Sequence, residues 1–294
     1  MKIPGYGRRH PTGRVEQVVV DGLRTCIEVR GEGPPLLLIN GLWGDVAVWD
    51  PLIAHLGGVQ TIAFDAPGIG GTDMPSVPQS LIGLARFSVG VLDAVGVARA
   101  DVLGVSFGGL VAQQMAVVAP GRVRRLALVS TSAGALCVPG HPSALLRLLT
   151  PWSFTTPSGM ADAGAVFGGK IRRHPELLAQ IGLSAPVGMA TYVNRLSALG
   201  GWYGLPWSIR QPCLVLTGDD DPIVPASNSR ILASCLPDAR LHIVRGGGHL
   251  VVFDSPAEVA PIVGGFLDVG RVPSGRERPG SYAADAGRDH PPAA

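Results

Sequence analysis

Residues 101–116 read Asp101-Val102-Leu103-Gly104-Val105-Ser106-Phe107-Gly108-Gly109-Leu110-Val111-Ala112-Gln113-Gln114-Met115-Ala116. The run before Ser106 is short and apolar, as a buried strand is, and the run from Gly109 reads as a helix. Ser106 therefore stands on a sharp strand-to-helix turn, which strains its backbone and presents its hydroxyl at the top of a sheet. Gly104 and Gly108 let strand and helix pass closely where a side chain would clash. The chain holds 41 glycines, so Gly-x-Ser-x-Gly also arises by chance, as a small-residue turn without chemistry. Strand before and helix after favour a nucleophilic serine.

A chain of 294 residues can bury one large core, or one core plus a smaller appendage. A hydrophobic share of 46% and a charged share of 16% describe a soluble, rather hydrophobic globule. The net charge of +2 gives no electrostatic footprint for nucleic acid. Arg122, Arg124 and Arg125, and Arg172 and Arg173, read as solvated faces. Met1 to Arg14 lacks the apolar core of a secretory signal, and no run reaches the length of a membrane span. A cytoplasmic location is expected. Cys26 and Cys213 fall in strand-like runs and read as small core residues. With Cys137 and Cys235 scattered elsewhere, neither a disulfide framework nor a metal site is expected.

Val15–Val20 and Leu23–Arg30 flank Asp21-Gly22, a hairpin signal. Apolar runs at Leu36–Ile39, Thr61–Phe64, Val102–Val105, Leu126–Val129, Leu214–Leu216 and Leu241–Val244 predict buried strands. Helices are expected around Ala47–Leu56, over Ser80–Val95 and over Pro256–Leu267. Apolar strands alternating with helices predict a mainly parallel sheet covered on both faces. An opening hairpin, a parallel remainder and the serine turn together resemble the α/β-hydrolase fold, with eight strands and an inserted helical cap. The expected core is 15–131 plus 208–269, and the cap is 132–207. Residues 1–14 and 270–294 are expected to be flexible; the latter stretch is rich in Pro, Gly, Arg and Asp with little to bury. The cap interval holds Trp152, Phe154, Met160, Phe167, Tyr192, Trp202, Tyr203 and Trp207. It reads either as a cover lining a cleft or as ordinary helices at the sheet edge.

A serine hydroxyl needs a base, and the base needs an orienting carboxylate. In α/β-hydrolases the chain order is serine, acid, histidine. His249 follows the last strand on a loop opened by Gly246-Gly247-Gly248, so it is the expected base. His242 is its rival, held within the strand by the pleat. The acid lies in Gly218-Asp219-Asp220-Asp221-Pro222-Ile223-Val224-Pro225. Three adjacent carboxylates repel one another unless paired, and the alternate spacing of a calcium loop is absent. The pattern Gly-x-x-Asp-x-x-x-Pro of similar hydrolases places the acid at Asp221, with Asp219 as the fallback.

The tetrahedral oxyanion needs backbone donors, one from the residue after the nucleophile and one from the loop after the third strand. These are Phe107 and Leu42, the latter in Asn40-Gly41-Leu42-Trp43-Gly44. Asn40 takes the place where many relatives carry His, and its amide is suited to bracing the loop or to a simple turn role. Asn40, Trp43, Trp152 and Trp202 are the expected pocket residues. Trp49 is suited to the pocket wall or to the core. Asp65–Thr72 lacks the Gly-Lys-Ser/Thr of a phosphate loop and does not open the first βαβ unit as a dinucleotide fingerprint would, so it reads as a structural turn.

A narrower resemblance rests on Asn40-Gly41, Ala63–Gly71, Gly104–Gly109, Gly218–Pro225, Ser132–Gly140 and Arg172–Leu177. The chain resembles intracellular medium-chain-length poly(3-hydroxyalkanoate) depolymerases from about Val15 to about Leu267. That implies a serine esterase acting on a stored aliphatic polyester, with no cofactor, a hydrophobic ester substrate and a polyester granule surface as a possible partner. Phe107 departs from the Trp common at this place, which bears on the shape of the acyl pocket. A small-molecule carboxylesterase or thioesterase on the same machinery, and a non-catalytic granule-binding protein, are the alternatives. The oligomeric state is left open.

Overall fold

The computed structural model describes residues 13–156, 164–183 and 187–268. Its strands are β1 (Gly13–Val20), β2 (Leu23–Arg30), β3 (Pro35–Ile39), β4 (Gln60–Phe64), β5 (Ala100–Val105), β6 (Val123–Val129), β7 (Cys213–Gly218) and β8 (Ala239–Val244). They form one sheet in the order β1-β2-β4-β3-β5-β6-β7-β8. β2 is antiparallel to both its neighbours, and the pairings from β4 through β8 are parallel. The opening hairpin turns at Asp21 and Gly22, whose φ values of +49° and +79° suit its tight two-residue turn. β1 starts at Gly13, with Gly13 and Arg14 in register with Arg30 and Val29. Two residues expected in a flexible terminus are therefore strand, because β2 extends far enough to pair their backbone whatever their side chains. The rest of that terminus and the expected flexible tail lie outside the described residues.

Strand alternation splits the core in two. Leu36, Leu38, Leu103, Val105, Ala127, Val129, Leu214 and Leu216 face one side. Leu37, Ile39, Val102, Leu126, Leu128, Cys213 and Val215 face the other. The second side is covered by α1 (Leu81–Ala94), α2 (Phe107–Val118) and, further along the chain, a helix at Ala226–Cys235. The first is covered by two short helices at Val46–Trp49 and Asp50–Ile53, where a helix was expected, and by a helix at Pro256–Phe266. Ser80 caps α1, accepting the Gly83 N–H at 3.1 Å. Trp49 is fully buried, edge-on to Phe253, and is core rather than pocket wall. Cys26 and Cys213 are buried as expected.

The basic groups serve the fold more than the solvent. Arg124 pairs with buried Asp101, Arg122 with Asp93, and Arg125 with Asp268. Asp65 closes the turn after β4, accepting from the Val46 and Gly71 N–H groups at 2.8 and 2.7 Å.

Between β6 and β7 the described regular elements are all helical, among them α3 (Pro142–Leu148) and α4 (Met189–Ser197). Departure and return cross at one point. A Cβ on Gly134 would stand 2.3 Å from the Tyr203 carbonyl oxygen, and one on Gly204 would stand 2.4 Å from that of Ala133. The Ala135 N–H donates to the Tyr203 carbonyl there at 2.9 Å. Among the described residues no helix is long and apolar enough to cross a membrane.

Candidate active site

Ser106 joins β5 to α2 with φ +54° and ψ −118°. That conformation is costly for a residue with a Cβ and persists only where the surroundings over-determine it. Here the Ser106 N–H donates to the Val129 carbonyl at 2.8 Å. Its own carbonyl accepts from the Gly109 N–H and the Thr131 hydroxyl, both at 2.9 Å. The turn also needs bare backbone. A Cβ on Gly104 would stand 2.3 Å from the Gly108 oxygen, and one on Gly108 would stand 2.2 Å from the Ile39 oxygen.

His249 Nε2 lies 2.9 Å from Ser106 Oγ, and its Nδ1 lies 2.8 Å from Asp221 Oδ2. With the proton on Nδ1, the ring donates to the carboxylate and accepts the serine hydroxyl. Asp221 Oδ1 accepts the Ile223 and Val224 N–H groups, both at 2.9 Å. The two side chains are 5% and 0% exposed, so little water competes for the pairing. The adjacent carboxylates are occupied elsewhere. Asp219 accepts the Gly246 N–H, and Asp220 takes Arg172 and the Gly169 N–H. His242 stays in β8, in register with Leu216. The structure thus joins Ser106, Asp221 and His249, and leaves Asp219 and His242 apart.

The loop after β3 closes over the serine: a Cβ on Gly41 would stand 3.7 Å from Ser106 Cβ. Asn40 Nδ2 donates to the Gly44 and Asp45 carbonyls, both at 2.8 Å, and so braces that loop. Phe107 opens α2, where the first N–H groups have no acceptor within the helix. An apolar cleft leads to the serine, lined by Asn40, Leu42, Trp43, Leu148, Phe167 and Phe253 among others. The apolar lining suits an aliphatic ligand.

The sequence model of the alpha/beta hydrolase family matches residues 36–262. The chain belongs to that family. A poly(3-hydroxyalkanoate) depolymerase from Ectopseudomonas oleovorans is 40% identical over 239 residues, which cover 79% of this chain and 84% of that protein. A 2-hydroxymuconate semialdehyde hydrolase from Pseudomonas sp. (strain CF600) is 30% identical, with 85% of this chain and 93% of the relative covered. Among solved structures, the crystal structure of the enol-lactonase from Burkholderia xenovorans LB400 superimposes with a TM-score of 0.75 at 25% identity. It spans 86% of this chain and 100% of that one.

In this alpha/beta hydrolase two expected pocket residues lie elsewhere. Trp152 is 66% exposed and does not line the cleft. Trp202 packs on the opposite core, where its Nε1–H donates to Gln114 Oε1 at 2.9 Å. Aromatic density in a sequence does not tell which way each ring faces, and these two face away. The Phe107 ring is buried in that same opposite core and does not line the cleft. Its departure from Trp therefore bears on what packs over it, not on the cleft wall.

Other residues border the site, among them Phe167, which the sequence reading placed only among the cap aromatics. Phe167 stacks on the His249 ring, with centroids 6.4 Å apart and planes 20° apart. Leu148 and Leu183 complete the cleft from the inserted segment. The paired glycines Gly168-Gly169, with φ +67° and +54°, were the available signal.

Proposed function

We propose that the protein is a serine esterase working through an acyl-enzyme, with Ser106 as nucleophile, His249 as base and Asp221 as its orienting acid. The carrying observation is the continuous hydrogen-bonded line from Asp221 through His249 to the Ser106 hydroxyl, ending in an apolar cleft. His249 takes the hydroxyl proton as Ser106 attacks the ester carbonyl. The N–H groups of Phe107 and Leu42 hold the oxyanion. His249 returns the proton to the leaving alcohol, and water, deprotonated by the same ring, releases the acid.

The substrate in this reading is a medium-chain-length poly(3-hydroxyalkanoate). Support comes from the relative of that activity at 40% identity over most of both chains, and from the aliphatic cleft lining. Residues 132–207 act as the cap, over a core of 15–131 and 208–269, since Leu148, Phe167 and Leu183 of that segment line the cleft. A granule surface as partner and a cytoplasmic location belong to the same proposal. Purified protein incubated with polyester granules should release 3-hydroxy acids. The Ser106→Ala variant should fold normally and release none. A wild type that cleaves p-nitrophenyl octanoate but leaves the polymer intact would return the assignment to a small-ester hydrolase.

A further inference from the structure

One helix touches both segments expected to supply oxyanion donors. From α4, the Tyr192 ring stacks on Trp43, next to Leu42, with centroids 6.0 Å apart and planes 1° apart. From the same helix, the Arg195 guanidinium lies 5.7 Å from the centroid of the Phe107 ring. Two further bonds fix the helix to the turn after β4. Thr191 Oγ1 donates to the Gly68 carbonyl at 2.8 Å, and Arg195 Nη2 donates to the Pro67 carbonyl at 3.1 Å.

Arg195 is chemically the odd member of this set. It is 3% exposed, and among the described residues no carboxylate forms an ion pair with it. Burial lowers its pKa to about 10, so it stays charged at neutral pH. Removing a cation from water without a counter-ion costs free energy. A methionine would fill the space over Phe107 without that cost. The charge instead sits over the ring of the residue that opens α2, whose N-terminus already carries partial positive charge. Both attract a negative oxygen once it forms above Ser106.

We propose that Arg195 is a positioning residue for oxyanion stabilisation, holding the Phe107 segment through its ring while Tyr192 holds the Leu42 segment through Trp43. The proposal rests on the Ser106 nucleophile reading. If a transition state is stabilised through Phe107, the loss of Arg195 lowers kcat and leaves substrate binding nearly unchanged.

The test uses Arg195→Met and Arg195→Lys in the full chain, assayed on p-nitrophenyl octanoate, with octylboronic acid as a tetrahedral-adduct inhibitor. Arg195→Met should lower kcat by about 10- to 100-fold, as misplaced reacting groups do, with KM within threefold. Boronate affinity should fall by a similar factor, and Arg195→Lys should recover most of both. Combined with Phe107→Leu, the Arg195→Met loss should shrink, because the two act through one contact. Wild-type kcat in Arg195→Met overturns the proposal. So does an equal loss in the Lys and Met variants that follows their melting temperatures, or a rise in KM alone. If Arg195→Met does not fold, Phe107→Leu decides, since it keeps the backbone donor: a kcat loss at constant KM supports the proposal and an unchanged kcat defeats it. Residual activity in Ser106→Ala would sink the nucleophile reading separately.

Discussion

The Phe167 carbonyl accepts the His249 backbone N–H at 2.7 Å, while the Phe167 ring stacks on the His249 imidazole. One residue of the inserted segment thus holds the expected base by backbone and side chain together. The next two residues are keyed into the neighbouring loops. A Cβ on Gly168 would stand 2.0 Å from the Asp220 oxygen, and one on Gly169 would stand 2.2 Å from the Gly248 nitrogen.

Gly169→Ala should therefore act on catalysis from outside the cleft. The added Cβ meets backbone and the φ of +54° disfavours a side chain. Esterase kcat should fall at least tenfold and the melting temperature should drop, as read by steady-state kinetics and thermal unfolding. A fully active Gly169→Ala would show that the acid and base loops tolerate displacement.

Asp221→Asn keeps an oxygen for the Ile223 and Val224 N–H groups but presents an amide to His249. The imidazole must then place its proton on Nε2, where it cannot accept from Ser106. By analogy with the serine protease triad, kcat should drop by about 10,000-fold. Asp219→Asn, whose carboxylate faces Gly246 instead, should stay within threefold of wild type in the same assay.

The cleft lining makes a contrast between two residues of one segment. Leu148→Phe adds volume inside the cleft. It should lower kcat/KM for p-nitrophenyl octanoate by about tenfold and spare the acetate ester, a difference within the reach of one or two methylenes. Trp152→Ala alters an exposed ring and should leave both esters within twofold. The reverse pattern would return Trp152 to the pocket.

Asp254 carries a pH signature. Burial raises its carboxyl pKa above the usual value, against the lowering effects of Ser255, Lys170 and Arg173. The folded state therefore binds the proton more tightly than the unfolded chain, so ionisation at neutral pH destabilises the fold. Asp254→Asn should raise the melting temperature at pH 7 by about 1–3 °C. That advantage should shrink as pH falls through the raised value towards 3.8, the unshifted value. An advantage that grows on acidification would reverse the assigned sign.

The central strands were legible because parallel strands buried on both faces are apolar runs; β8, expected to be buried, lies at the sheet edge and is mostly not. Strand ends were less legible. β6 begins at Val123 and includes Arg124 and Arg125, and β5 includes Asp101, a charge made tolerable by Arg124 on the next strand. No local pattern reports such a pairing. The serine turn and the glycine run before His249 are local signals, and both led to residues that meet in space. Phe167 was legible only as one of several cap aromatics, and Arg195 not at all. Their partners, His249 and Phe107, lie far along the chain, and a long-range contact leaves no periodicity behind. Trp152 and Trp202 misled for the complementary reason, since residue type alone does not set direction.

The crossing at Gly134 and Gly204 gives the molecule a doorway through which the segment between β6 and β7 departs and returns. Closing such an excursion costs free energy that grows only logarithmically with its length, so its size is decoupled from the scaffold beneath. A donor excursion spliced at those two glycines should seat without re-registering any strand, provided it brings its own equivalent of the Phe167-Gly168-Gly169 wedge. New acyl preferences would then be grafted rather than built residue by residue.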